Sequence, residues 1–238
     1  MTKKVLDSEK IVSTISRLQS RIEERFPKSG LSQVAETLEQ IAVNARSTST
    51  WIEKPVWWLR LFVWLGCLLF LVTAVCLTYL AFQPLFHGGQ MKDLLSNVET
   101  EINFMILIGG ATLFTWTLES RYKRWKALQA LHELRSVAHV VDMHQLTKDP
   151  DRIFGAEHDT SSSPKFKMTS YELRRYLDYC SEMLSLIGKV AALYVQKFDD
   201  PVALSAASEI EHTATGLSRK IWQKLMILHA AKAEGRAQ

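Results

Sequence analysis

The side chains of this sequence best suited to chemistry lie between His132 and His144, a stretch free of Gly and Pro. At 100° per residue, His132, Arg135, His139 and Asp142 fall within about 80° of one another and make one polar stripe on a helix. An imidazole and a carboxylate three residues apart can share a metal ion, so His139 and Asp142 are the candidate ligands of a metal site. His132 stands two turns away, roughly 10 Å, too far to join them from a straight helix. His144 points elsewhere unless the helix ends before it. A zinc-hydrolase motif would need a second His four residues after His132, and Ser136 occupies that place. The simpler reading is that the stripe makes hydrogen bonds that fix how the helix packs.

Other chemistry is sparse. There is no Gly-rich phosphate loop, no Gly-x-Ser-x-Gly elbow and no paired-cysteine knuckle. Gly109, Thr112 and Thr115 could line a pore or could allow helices to pack closely, because threonine hydroxyls bond back to the preceding turn and glycine admits a neighbour. The Gly-Met-Asn signature of one class of magnesium channels and any potassium-filter sequence are absent. Trp222, Met226 and Ile227 lie beyond the apolar seam of the last helix. They are the candidate contacts for another copy or another protein.

These residues need elements to hold them, and the apolar residues are unevenly spread. Leu61 to Phe82 is 22 residues without charge, Pro or Asn, and Ile102 to Leu118 is 17 more without charge. At about 1.5 Å per residue both reach across a hydrocarbon core roughly 30 Å thick, the second only just. The first lies too far along the chain, behind a charged segment, to be a cleaved signal. Lys and Arg set the orientation. The segment 83–101 holds Lys92 against Asp93, Glu99 and Glu101, whereas Arg121, Lys123, Arg124 and Lys126 follow the second span and Arg60 stands at the entrance to the first. These five basic residues are expected at lipid headgroups on the cytoplasmic side, with Trp57, Trp58, Trp116, Tyr122 and Trp125 at the same interface.

The expected fold class is therefore all-α: two transmembrane helices with a cytoplasmic helical bundle that includes a long antiparallel hairpin. N-terminal cytoplasmic helices occupy 1–54, with Asp7 and Ser8 as caps, stripes at Ile11, Ile15, Leu18, Ile22 and at Val34, Leu38, Ile41, Ala45, and a loosening at Ser47 to Thr50. The first span takes 55–82, a short outward loop with Pro84 and Gly88-Gly89 takes 83–101, and the second span takes 102–120. Its cytoplasmic extension, 121–146, carries Leu131, Leu134, Ala138 and Val141. A flexible linker covers 147–168. The hairpin covers 169–232, opened by a Thr169/Glu172 capping box and turned at Asp199-Asp200-Pro201, and 233–238 is a tail.

Composition narrows the partners. A net charge of +4 is modest, and a basic cluster beside a membrane span suits anionic lipid better than nucleic acid. Three cysteines, none in the outward loop, imply no disulfide framework. The expectation is a non-enzymatic, multi-pass protein of the cell (inner) membrane, both termini cytoplasmic. Its helical domain mediates homo-oligomerisation or binds a cytoplasmic protein. The alternatives are an oligomeric channel or transport subunit with the second span lining the pore, and a membrane-tethered metal-dependent enzyme using His132 to His144. No cofactor is expected beyond that metal ion.

Overall fold

A computed structural model describes residues 6–86, 91–150 and 168–234. Every element in them is an α-helix: α1 (Ser8–Arg25), α2 (Gly30–Glu53), α3 (Trp57–Phe86), α4 (Met91–Leu146), α5 (Ser170–Val195) and α6 (Pro201–Glu234). The chain divides into two compact units, one of Met1–Glu53 with Lys126–Gln238, the other of Lys54–Trp125. Helix α4 contributes to both.

The first unit is a bundle of α1, α2, the end of α4, α5 and α6. Its apolar stripes are buried: Ile11, Ile15, Leu18 and Ile22 on α1, Leu131, Leu134, Ala138 and Val141 on α4, and Ala203, Ala207, Ile210, Ala214, Leu217 and Ile221 on α6. Helices α1 and α2 pair antiparallel, since Glu9 meets Arg46 at one end and Glu23 accepts from the Ser32 hydroxyl at the other. Helices α5 and α6 pair the same way. Ser181 faces Ser218 at 3.2 Å and Gly188 lies against Glu211, so seven residues up one helix match seven down the other. The turn between them is set by Asp200, whose Oδ1 accepts from the backbone N–H of Val202 at 3.1 Å and of Ala203 at 3.0 Å. Thr169 and Glu172 form the reciprocal capping box that opens α5.

Two expected breaks are helical instead. The Ser47–Thr50 string lies inside α2, where the hydroxyls of Ser47, Ser49 and Thr50 donate to the carbonyls of Asn44, Arg46 and Ser47. Ser and Thr break helices mainly by competing for backbone groups, and bonding back to the preceding turn removes that competition. The 83–101 segment is likewise largely helical, because α3 continues through Pro84 to Phe86 and α4 begins at Met91. Proline so near a helix end sacrifices a single backbone hydrogen bond. Gly88 and Gly89 lie outside the described residues, as do 151–167 of the linker and 235–238 of the tail.

The second unit holds the apolar stretches. Within Ile102–Leu146, α4 has an 18-residue window of mean hydropathy 1.3, none of it buried; by length and composition it can cross a membrane. The described apolar part of α3, Leu61–Cys76, is shorter. Bulky side chains on both helices are exposed, among them Trp64, Leu68, Leu71 and Val75 on α3 and Ile106, Leu107 and Leu113 on α4. At the start of α3 the Val56 N–H donates to Glu119 at 3.2 Å, which brings Trp57 and Trp58 to the same end of the unit as Tyr122 and Trp125.

Candidate functional site

The stripe on α4 is dispersed among several tasks. Arg135 pairs with Glu209 of α6, and further along Lys224 of α6 donates to the Gln145 carbonyl at 2.7 Å and the Lys148 carbonyl at 3.3 Å. The two ties follow the same order on both helices, so the end of α4 and α6 run in one direction. Asp142 accepts from the Gln145 side-chain amide at 2.6 Å. His132 and His139 are exposed, the first with its carbonyl accepting from Ser136 at 3.1 Å. Arg135 and Asp142 are thus joined to the packing, and the two imidazoles face solvent. Among the described residues no group of three or more His, Cys, Asp and Glu is placed to hold a metal ion, His139 and Asp142 included.

What the sequence did not announce is the polar knot where α4 ends. Gln145 is almost wholly buried, and its Oε1 has no hydrogen-bond partner among the described residues. The Lys224 ammonium beside it is half-buried and held below its usual pKa by that burial, against the pull of Asp149, Asp142 and Cys180. By donating to the Gln145 and Lys148 carbonyls it satisfies groups that a helix end leaves without partners. His144 completes the knot. It packs so closely on the start of α2 that a Cβ on Gly30 would collide with its ring, which is why glycine stands there.

Burial, and then the Lys148 ammonium, holds the His144 imidazole below its ordinary pKa of 6.5. The fold therefore favours the neutral ring. The stability this contributes is present in full above the unfolded pKa and is lost as pH falls from about 6.5 through the lower folded value. Urea midpoints at pH 7.5 and 5.5 should fall further for the wild type than for His144→Gln; equal falls would show that this ring carries none of the acid sensitivity.

The residues expected at lipid headgroups are partly engaged. Lys123 is buried and pairs with Glu119 at 2.9 Å, Lys126 lies over the Trp51 ring at 4.3 Å, and Arg121 lies over Phe114 at 5.7 Å. Arg124 is half-buried, and the Arg60 side chain lies outside the described residues. Tyr122 and Trp125 stack with centroids 6.2 Å apart. In the second apolar stretch the hydroxyls of Thr112 and Thr115 donate to Ile108 at 2.9 Å and Ala111 at 2.8 Å, within their own helix. Gly109 and Gly110 do not seat another part of the unit, since a Cβ on either would meet nothing within 4 Å. Trp222, Met226 and Ile227 remain 61%, 60% and 45% exposed.

No known protein family matches this chain, and neither a curated protein nor a solved structure does.

Proposed function

We propose that this chain is a two-span integral membrane protein whose cytoplasmic helical bundle mediates assembly, with copies of itself first and with a cytoplasmic protein second. One observation carries the reading: α3 and the apolar part of α4 turn bulky side chains outward, and none of the α4 window that could span is buried. Leaving a single Leu or Phe in water forgoes roughly 1.5–3 kcal/mol of burial, and helices that do so on all but one half-buried face need lipid or protein around them. The exposed rings of Trp57, Trp58, Tyr122 and Trp125 at one end support an aqueous interface there, and the neighbouring Lys and Arg support placing that end, and both termini, in the cytoplasm.

Assembly draws support from two unfilled surfaces. Open space at Gly109 and Gly110 suits the close approach of another membrane helix. The exposed Trp222 and Met226, one turn apart on α6, suit a contact outside the membrane. The pore reading gains no observation of its own, because the Thr112 and Thr115 hydroxyls are turned to their own helix.

The test is the mass of the particle in a nanodisc, by light scattering corrected for lipid. The wild type should be a dimer or larger, and a monomer would end the assembly reading. Gly110→Ile should shift the particle toward monomer while the bundle keeps its urea midpoint, since the position is exposed and an added Cβ meets nothing within 4 Å in the protomer.

A further inference from the structure

On the outer face of the bundle, the sequence places Arg21 and Arg25 four residues apart on α1, and Arg175 and Tyr179 four apart on α5. Residues at that spacing stand one above the other on a helix. Helices α1 and α5 run antiparallel, because Arg21 meets Glu182 while Leu6, at the other end of α1, donates its N–H to Gln196 at 2.8 Å. The two pairs therefore meet. Between them is an open pocket of about 450 Å³ lined by Arg21, Arg25, Arg175 and Tyr179, with Glu24 as its one described carboxylate.

The three guanidiniums are held in place. Arg21 and Arg175 lie over the Tyr179 ring, 5.2 and 4.9 Å from its centroid, and Arg25 lies over Tyr171 at 5.5 Å. Glu182 grips Arg21 through bonds of 3.0 and 3.3 Å, and Asp178 accepts from Arg175 at 3.3 Å. Neither carboxylate is part of the pocket wall, so both orient their arginines from outside it. Arg25 has only phenols as partners, donating to the Tyr171 hydroxyl at 3.2 Å and bonding to Tyr179, with no carboxylate paired to it among the described residues. Tyr179 reports the local field. Burial raises its phenol pKa, yet hydrogen bonds from Arg175 and Arg25 outweigh that and leave it lowered.

Stacked, pinned guanidiniums with unspent N–H donors are preorganised for an anion. A planar carboxylate is satisfied by one fork, whereas three guanidiniums arriving from two helices, Arg21 with the N–H groups that Glu182 leaves free, suit a tetrahedral group with oxygens on every side. We propose that this pocket binds a phosphate group, carried by a soluble phosphate or by a lipid headgroup, with Arg21, Arg25 and Arg175 as its donors.

The full chain in phosphatidylcholine nanodiscs is titrated calorimetrically with inorganic phosphate, against chloride at equal ionic strength. Saturable binding is expected, and Arg25→Gln should weaken it at least about tenfold, the scale of one charge-assisted fork. Arg175→Lys keeps the charge but loses the fork, and should weaken it similarly. The same titration in discs containing phosphatidic acid separates the sources. Suppressed binding there means that a headgroup fills the pocket, and undiminished binding means a soluble phosphate. No saturable phosphate signal in the phosphatidylcholine discs, or a titration unchanged by both substitutions, overturns the proposal.

Discussion

Leu184→Ala should loosen the whole bundle, at a cost of about 3 kcal/mol, and a cysteine already in the fold can report it. Leu184 is fully buried in the middle of α5, the helix that packs against α1, α2 and α6 together. Three neighbouring helices cannot all move in to fill the space, so transfer and cavity terms add. One turn earlier stands Cys180, also fully buried, whose thiol is pushed up to about 12 by burial, against the weaker opposite pull of Lys224 and Lys148. A protonated, covered thiol does not attack a disulfide reagent, so Cys180 reacts only when the bundle opens. With Cys67 and Cys76 replaced by Ala, labelling of Cys180 should quicken roughly a hundredfold in Leu184→Ala, since 1.4 kcal/mol is about tenfold in an equilibrium. A labelling rate within a factor of a few of the wild type would mean that α5 is not the centre of one cooperative unit.

The position of that centre shows which features of the fold are legible in the sequence. The stripes of α1 and α6 step by three and four in residues that are apolar without ambiguity, and such periodicity specifies a helix and its inner face at once. Helix α5 was harder. Its heptad seam is plain, but Tyr176, Tyr179, Met183, Leu186, Val190 and Leu193 are buried too, so it is covered on nearly every side. Tyrosine is ambiguous in a pattern because its ring is apolar and its hydroxyl is not, and the wider buried face goes unseen. Trp222, Met226 and Ile227 of α6 are unambiguously apolar in the pattern, and the protomer leaves them exposed. Helix α5 also has more than one apolar face, and the protomer covers it.

Polar positions were legible as types and not as tasks. His132, Arg135, His139 and Asp142 do share a side of α4, yet what Arg135 does depends on Glu209, 74 residues on, and no spacing rule reaches that far. The arginine pocket has the same character. Arg21 and Arg175 each sit at a four-residue spacing that was available to read, but such pairs on a helix surface are common, and only the pairing of α1 with α5 brings them to one place. Local chemistry misled at Ser47–Thr50 because four small hydroxyl residues look like a linker, while each can equally bond back into the helix that carries it.

A single arginine in the middle of α3 separates the membrane reading from every soluble alternative, because one predicts a large loss and the other a nearly neutral change. Leu71 is 62% exposed, near the centre of the Leu61–Phe82 stretch. Were it in contact with water, Leu71→Arg would be nearly neutral for stability and would raise solubility. In a bilayer the same change places a guanidinium near mid-membrane, at a cost of about 2.5–3.5 kcal/mol on insertion scales, to which the lost leucine adds a few tenths. We expect the membrane-resistant fraction after alkaline extraction to fall steeply, with the free-to-inserted ratio of α3 rising roughly a hundredfold. Trp57→Arg is the matched control. Trp57 is 80% exposed, but it stands at the start of α3, at the same end of the unit as Tyr122 and Trp125, where an arginine would reach headgroups and water. The pair tests depth and not merely charge: loss at position 71 with retention at position 57 is what a spanning helix produces, and equal retention at both would return α3 to an aqueous setting.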